Sequence, residues 1–200
     1  MRSNVCIVGN SPNVQSREDG CLIDSCDIVI RMNTFITKGY EKYVGSKTDI
    51  ISLSFCNLED TRAAIAGYGI KDFSDISFWS TRFLVDNRLN ICKKILSEIG
   101  VDTVTQPTTT LWKHLVDKIY EDFWRKQPSS GIVTLQMALD LFGKDNCIFY
   151  CGFDDTIEKA HLGRDLVDYT LPGEPGSGHD WIGEWKYLNK MVKHVSVLEE

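Results

Sequence analysis

Short apolar runs rich in β-branched residues alternate with longer segments of helical periodicity along almost the whole chain. Each run has the length and composition of a strand. Neighbouring parallel strands need long connections, usually helices, so this alternation predicts an open α/β fold, a parallel sheet with helices on both faces. The predicted strands are residues 5–8, 27–31, 49–53, 76–79, 147–151 and 195–198.

The helical segments lie between these strands. An apolar stretch at residues 132–142 follows Ser129 and Ser130 and stops at Gly143, which predicts a helix with a serine cap and a glycine end. Residues 156–178 instead hold several glycines and prolines with little periodicity, as functional loops often do. The other predicted helices are residues 57–66, 87–98 and 110–124, with a last one beginning near His179.

Length and charge limit the classes of protein that this chain can represent. Its 200 residues predict one domain spanning residues 1–200, because single cores stop growing only at roughly 250–300 residues. With 28 acidic against 22 basic side chains, the net charge is −6, which argues against a nucleic-acid partner, since that affinity comes from many Lys and Arg contacts to phosphates.

Apolar runs and cysteines indicate the compartment. No run approaches the roughly 20 residues of a transmembrane helix, and no signal peptide precedes the first strand. The seven cysteines are scattered and lack paired metal-site spacing, so reduced thiols are expected. We therefore expect a cytoplasmic protein, and peripheral association with a membrane surface is left open.

Four glycine-rich or polar corners fall at strand ends or helix starts, at residues 9–13, 31–33, 129–131 and 152–155. Ligands of open α/β sheets bind outside the carboxyl ends of the strands, so these corners are expected to meet at one crevice. Small residues at a helix start, here Ser129, Ser130 and Gly131, leave backbone N–H groups for a phosphate. A serine in this position is also explained as a plain helix cap.

Three asparagines belong to these corners. Asn10, Asn13 and Asn33 carry amide groups that suit ribose hydroxyls and phosphate oxygens, but asparagine is also common in turns. The segment after Gly9 lacks the other glycines of the G-x-G-x-x-G fingerprint, so a dinucleotide-dependent oxidoreductase is disfavoured.

Two histidines flank the long loop and are candidates for acid–base chemistry. His161 and His179 carry the side chain best suited to accept a proton or carry a positive charge near neutral pH. Glu184 follows five residues after His179 and is expected to reach back to a loop or a backbone amide as an organiser of the site. No D-x-D pair stands at a strand end, and Asp154 and Asp155 are adjacent in sequence, so no metal or other cofactor is expected.

Together these motifs resemble glycosyltransferase family 29, the animal-type sialyltransferases. The large sialyl motif resembles the segments C-I-V-G-N-S-P-N, I-D-S-C-D-I-V-I-R-M-N and G-Y-E-K-Y-V-G-S-K-T-D. The small motif resembles P-S-S-G at residues 128–131, the third motif is His161, and the very small motif is His179 to Glu184. All four stand in the family's order.

The resemblance implies a single-domain, Rossmann-like variant fold and an inverting, metal-independent transfer of sialic acid from CMP-sialic acid. The acceptor would be a hydroxyl of a glycan ending in galactose or sialic acid. By similarity, His179 is the catalytic base, His161 stabilises the departing phosphate and Glu184 organises the site. The positions that match CMP-binding residues are Asn10, Ser11, Asn13, Asn33, Ser129, Ser130, Gly131, Gly152 and Phe153.

The chain also departs from the family. The family's disulfide joins the large motif to the small-motif helix, but here Cys6 would face Phe142, which implies that the bridge is missing and favours a reducing compartment. Leu162 follows His161 where the family has an aromatic residue. The short chain without stem or anchor suggests a bacterial or viral relative. Two alternatives stay open: a CMP-Kdo-dependent transferase and a catalytically silent CMP-binding domain.

Overall fold

The protein is described by a computed structural model for residues 3–55, 58–82, 86–119, 128–143, 146–153, 181–191 and 195–197. Six strands form one sheet in the order β4-β3-β2-β1-β5-β6, and every neighbouring pair is parallel. The predicted parallel α/β sheet is therefore confirmed. The strands are β1 Asn4–Val8, β2 Ile28–Met32, β3 Ile50–Leu53, β4 Ser77–Ser80, β5 Cys147–Cys151 and β6 Val195–Val197.

Helices connect these strands. The four long predicted helices are present over their described residues, and the last one begins at Trp181, two residues after His179. Residues 120–124 of the predicted helix 110–124 and the predicted loop 156–178 lie outside the described residues. Two short helices were not predicted, because segments of four to six residues are too short to show periodicity. The turn after β1 was expected to open a helix, and a 3-10 helix (Pro12–Ser16) begins there. The helices are α1 Gly20–Ser25, α2 Glu41–Val44, α3 Leu58–Gly67, α4 Asp86–Ser97, α5 Thr109–Ile119, α6 Ser130–Phe142 and α7 Trp181–Met191.

The sheet is covered on both faces, because successive side chains of a strand point to opposite sides. Val5 and Ile7 of β1 pack with the helices α5, α6 and α7 on one face. Cys6 and Val8 pack with α1 and α2 on the other, where β3 and β4 are covered by α3 and α4. Helices on both faces are thus confirmed. No helix among the described residues is long and apolar enough to cross a bilayer.

The face to which Cys6 of β1 points corrects one expectation from the family resemblance. Cys6 lies on the face of α1, in one cluster with Cys26 and Cys151, whereas Phe142 stacks on Trp79 across the opposite face, with ring centroids 6.0 Å apart. Cys6 therefore does not face Phe142. The Cys6 thiol donates hydrogen bonds to the sulfurs of Cys151 and then Cys26, and these bonds together with burial raise the pKa of Cys6. Among the described residues, Cys6, Cys21, Cys26, Cys147 and Cys151 form no disulfide.

Arg31 belongs to a predicted corner but stabilises a neighbouring loop. It lies at the end of β2 and is 1% exposed. Its guanidinium donates to the carbonyl oxygens of Val44 (2.7 Å) and Lys47 (2.8 Å) and to the Thr48 hydroxyl (3.0 Å). A buried arginine is stable only with such partners. Arg31 therefore fixes the connection from α2 to β3.

Candidate functional site

The candidate crevice lies beside the carboxyl ends of β1 and β5. Non-consecutive strands become neighbours there, which is the point at which open α/β sheets bind ligands. The two loops touch through their backbones: Gly9 N–H donates to Cys151 O (2.8 Å) and Ser11 N–H to Gly152 O (2.9 Å). A Cβ atom on Gly9 would lie 2.2 Å from the carbonyl oxygen of Gly152. Only glycines allow this approach.

Two of the predicted asparagines join the loops around the crevice. The Asn10 side-chain N–H₂ group donates to the carbonyl oxygens of Met32 (3.0 Å) and Thr34 (3.2 Å). The Asn13 side chain donates to the carbonyl oxygen of Phe153 (2.7 Å). These bonds connect the loop after β1 with the loops after β2 and β5. Contact of either asparagine with a ligand stays a prediction.

Asn33 is the most constrained residue of the crevice. Its φ of 48° lies in the left-handed region, which asparagine tolerates better than most residues. Its N–H donates to Ser52 O (2.8 Å), its Oδ1 accepts from Ser54 N–H (3.2 Å), and its carbonyl oxygen accepts from the Tyr68 hydroxyl (2.6 Å). These three bonds hold the backbone and side chain of Asn33 in one conformation.

Tyr68 is a site residue that the sequence did not indicate. It is 5% exposed and stacks on Phe35 with ring centroids 4.3 Å apart. Burial raises the pKa of Tyr68, so its hydroxyl stays protonated and donates to Asn33. The two residues are 35 positions apart, and they meet because the segment after α3 packs on the loop after β2, where Tyr68 stacks on Phe35.

We expect Tyr68→Phe to lower the free energy of unfolding by roughly 1–2 kcal/mol, because it leaves the carbonyl of Asn33 without this buried donor. Affinity for CMP, the ligand that the family resemblance implies, should also fall, since Asn33 lies at the candidate site. Denaturant unfolding and a CMP titration measure both effects. Tyr43→Phe, on the half-buried surface of α2, is the control and should change stability by less than about 0.5 kcal/mol. Equal changes in unfolding free energy and CMP affinity in the two variants would contradict the role of Tyr68 in holding Asn33.

The start of α6 lies beside the crevice. The Thr81 hydroxyl donates to Ser130 Oγ (3.1 Å), and a Cβ atom on Gly131 would lie 3.0 Å from the ring of Phe153. The loop after β4 and the loop after β5 therefore both contact the first turn of α6. Free backbone N–H groups at a helix start attract anions, which makes this turn the candidate position for a phosphate.

Glu184 joins α7 to the start of α6. Its carboxylate is 6% exposed and accepts hydrogen bonds from the backbone N–H of Ser129 (2.8 Å) and from the Ser129 hydroxyl. The same hydroxyl accepts from Ile132 N–H (3.3 Å) and so caps α6. The expected contact between Glu184 and a backbone amide is present, and its catalytic importance stays a prediction.

The described parts of the site thus lie at one edge of the sheet. His161, His179 and the adjacent Asp154 and Asp155 lie outside the described residues. The other predicted site residues are brought together by the contacts above, and Thr81 and Tyr68 join them. Thr81 could have been found, because it comes two residues after the predicted strand 76–79. Tyr68 gives no such signal.

The comparison with known proteins agrees with the motifs. The model of the family described as "Glycosyltransferase family 29 (sialyltransferase)" matches residues 2–144. The rat CMP-N-acetylneuraminate-beta-galactosamide-alpha-2,3-sialyltransferase 4 is 23% identical over 96% of this chain, and the chain spans 62% of that relative. The Arabidopsis thaliana beta-1,6-galactosyltransferase GALT29A is 49% identical over 26% of this chain and 12% of its own length.

A solved structure shows the same fold. It is a mammalian sialyltransferase in complex with Gal-beta-1-3GalNAc-ortho-nitrophenol, with a TM-score of 0.65 and 18% identity, and the match covers 98% of this chain and 69% of that chain. The family model covers well over half of the sequence, and it includes the motif residues Ser11 and Asn13, which contact the loop after β5. The chain therefore belongs to glycosyltransferase family 29, the sialyltransferase family.

Proposed function

We propose that this chain is an inverting, metal-independent sialyltransferase that moves sialic acid from CMP-sialic acid to a hydroxyl of a glycan acceptor. Family membership and the donor in the rat relative's name support the donor assignment. The observation that carries the proposal is the convergence of the large and small motifs on one crevice, through the Ser11–Gly152 and Asn13–Phe153 bonds. We place residues 1–200 in a single catalytic domain.

The geometry suits a nucleotide with a charged phosphate. The nucleotide would lie in the crevice at Gly9 and Gly152, with its phosphate at the first turn of α6, near Ser130 and Gly131. As the bond to CMP breaks, negative charge develops on the phosphate, and preorganised N–H and hydroxyl donors stabilise such charge without a metal. Glu184 holds this turn in place through Ser129.

His179 and His161 carry the proton chemistry in this proposal, on the strength of the motif resemblance. His179 accepts the proton of the acceptor hydroxyl as that oxygen attacks the anomeric carbon of the donor sugar. His161 donates to the departing phosphate oxygen. The new glycosidic bond forms on the face opposite the leaving CMP, which is why the configuration inverts.

We expect the native chain to release CMP from CMP-sialic acid in the presence of EDTA, given a mixed pool of glycan acceptors. His179→Ala should lower this rate about a hundredfold or more, since general base catalysis contributes roughly 10²–10⁴-fold. Chromatographic detection of CMP measures the rate. His114→Ala is the control, because His114 lies on α5 and contacts Tyr187. Release that stops with EDTA would contradict the metal-independent reaction.

The same assay separates the alternatives. CMP-Kdo tests the other acidic donor, and UDP-galactose tests the activity named for the Arabidopsis relative. Tight CMP binding without release from any donor would support a silent CMP-binding domain. The cytoplasmic location, the peripheral membrane association and the bacterial or viral origin stay predictions from the sequence.

A further inference from the structure

Two serines stand at the start of α6, and their hydroxyl groups have different hydrogen-bond partners. The Ser129 hydroxyl donates to the Glu184 carboxylate and accepts from Ile132 N–H (3.3 Å). The Ser130 hydroxyl instead contacts the Thr81 hydroxyl, 3.1 Å away, in the loop after β4. A serine hydroxyl has one proton to donate, so the partners of each serine decide whether that proton is available to a ligand.

The Thr81 hydroxyl is the donor in its contact with Ser130. Its other neighbouring acceptor is the carbonyl oxygen of Leu53, which is more distant at 3.4 Å and already accepts from Thr81 N–H at 2.8 Å. The proton of Thr81 therefore goes to the nearer acceptor, Ser130 Oγ. This bond uses a lone pair of Ser130 and leaves the serine's own proton for another acceptor, which none of the described residues supplies.

Thr81 is held in place by the buried turn to which it belongs. It is 1% exposed, and Ser80 before it is 0% exposed. The Ser80 hydroxyl donates to Arg82 O (2.8 Å) and accepts from Arg82 N–H (3.1 Å), so it closes the turn around Thr81. Ser80 N–H also donates to Thr105 O (2.6 Å). The position of the Thr81 hydroxyl is therefore fixed by the backbone at the end of β4.

A second pair of hydroxyl groups fixes the backbone of Ser130. The Thr134 hydroxyl donates to Ser130 O (2.7 Å), and Ser52 Oγ of β3 lies 2.7 Å from Thr134 Oγ1. Since the proton of Thr134 goes to Ser130 O, Ser52 donates to Thr134. Ser52 and Thr134 are both 0% exposed, and buried hydroxyls of this kind are stable only when they are paired. The edge of the sheet thus fixes both the carbonyl and the hydroxyl of Ser130.

Ser130 lies beside the loops that form the candidate site. Ser130 and Gly131 are half-buried, whereas Ser129 is buried. A Cβ atom on Gly131 would lie 3.0 Å from the ring of Phe153 and 3.8 Å from Met32 Cε. The carbonyl oxygens of these two residues accept the hydrogen bonds from the loop after β1. The first turn of α6 is therefore next to the proposed nucleotide position.

We propose that Thr81 is a positioning residue, which orients the Ser130 hydroxyl so that Ser130 donates its proton to a phosphate oxygen of the bound nucleotide. This rests on the proposed function, because the phosphate is that of the CMP donor. Thr81 supplies the proton that Ser130 Oγ accepts and makes no contact with the ligand itself. A donor that is already oriented needs no reorganisation when negative charge develops on the phosphate.

The test compares the binding of CMP with that of cytidine, which lacks the phosphate. We expect the native chain to bind CMP more tightly. Thr81→Val keeps the shape of the side chain and loses its hydroxyl. It should weaken CMP binding about threefold to tenfold, the scale of one hydrogen bond, and leave cytidine binding unchanged. Thr81→Ser keeps the hydroxyl and should stay within about twofold of the native affinity for CMP.

A double-mutant cycle shows whether Thr81 acts through Ser130. Ser130→Ala should weaken CMP binding about tenfold to a hundredfold, because it removes a hydrogen bond to a charged group. Adding Thr81→Val to Ser130→Ala should cause no further loss, since residues that act through one contact are not additive. Additive losses would overturn the proposal. So would equal losses of CMP and cytidine affinity in Thr81→Val, or equal affinity of the native chain for the two ligands.

Thr48→Val is the matched control, because it also removes a hydrogen-bonded threonine hydroxyl. That hydroxyl accepts from Arg31 Nε (3.0 Å) in the connection from α2 to β3, and its loss should leave the ratio of CMP to cytidine affinity unchanged. Melting temperatures identify any variant that fails to fold, and Thr81→Ala replaces Thr81→Val in that case. Release of CMP from CMP-sialic acid by the native chain tests the proposed function separately. A chain that binds CMP through Ser130 without releasing it from the donor would contradict the transferase but not the role of Thr81.

Discussion

Gly152→Ala should destabilise the protein by roughly 3–5 kcal/mol and abolish CMP binding. Two effects add. Gly152 has a φ of 71°, which costs a residue with a side chain about 1–2 kcal/mol. A Cβ atom at this position would also lie 2.5 Å from the carbonyl oxygen of Gly9, and backbone cannot move aside as a flexible side chain can. The loops after β1 and β5 must then separate, and the Ser11–Gly152 hydrogen bond breaks.

Thermal unfolding and a CMP titration measure these effects, and the expected fall in Tm is on the order of 10 °C for a chain of this length. Gly69→Ala is a close control, because Gly69 has nearly the same φ of 68° but no atom within 4 Å of the added Cβ. It should cost about 1 kcal/mol and leave CMP binding unchanged. Similar losses in the two variants would show that the backbone conformation alone matters and that the close approach at the crevice does not.

Glu184→Gln is expected to lower the free energy of unfolding by about 2–3 kcal/mol, because hydrogen bonds to a charged group contribute roughly 1.5–3 kcal/mol each. The carboxylate accepts two bonds from Ser129. Glutamine offers one carbonyl oxygen and turns its N–H₂ group toward the second donor. If the N–H₂ group faces the backbone N–H of Ser129, two donors meet, and if it faces the Ser129 hydroxyl, the hydroxyl proton loses its acceptor. The start of α6 then shifts, and CMP affinity should fall about tenfold.

A double-mutant cycle with Ser129→Ala measures the interaction directly. Denaturant unfolding of the two single variants and the double variant should give a coupling energy above about 1 kcal/mol, as expected for residues in contact. Glu98→Gln is the control, because that carboxylate forms an exposed ion pair with Arg62 and should contribute less than about 1 kcal/mol. Additive effects of the Glu184 and Ser129 substitutions would contradict the assigned connection between α6 and α7.

The main features of the fold could be predicted from the sequence because they depend on local patterns. The five-residue strand Cys147–Cys151 and the helix Ser130–Phe142 both carry apolar runs bounded by turn residues, so their positions follow from the residues themselves. The short helices Gly20–Ser25 and Glu41–Val44 were not predicted, since one turn or two are too few to show a period. The expectation from the resemblance that Cys6 faces Phe142 was wrong, because Cys6 points to the face of α1 and successive residues of a strand point to opposite faces.

The candidate site could be predicted from the sequence only in part. Corners that follow strands could be expected to meet, because parallel strands end at one edge of the sheet, and Asn13 and Gly152 do lie together there. Tyr68 and Arg82 could not be assigned their contacts from sequence. Each contacts a residue that is distant in sequence: the Tyr68 hydroxyl donates to Asn33, and the Arg82 guanidinium lies over the ring of Trp112.

The sequence by itself determined the alternation of strands and helices, the turn residues at the strand ends and the motifs of the family. Those properties depend on side-chain type and spacing along the chain. Only the tertiary structure decided that Gly9 and Gly152 meet at the crevice, that Glu184 holds Ser129, and that Tyr68 holds Asn33. These contacts follow from the order β4-β3-β2-β1-β5-β6, which is set by the packing of all the helices on the sheet and not by any local pattern.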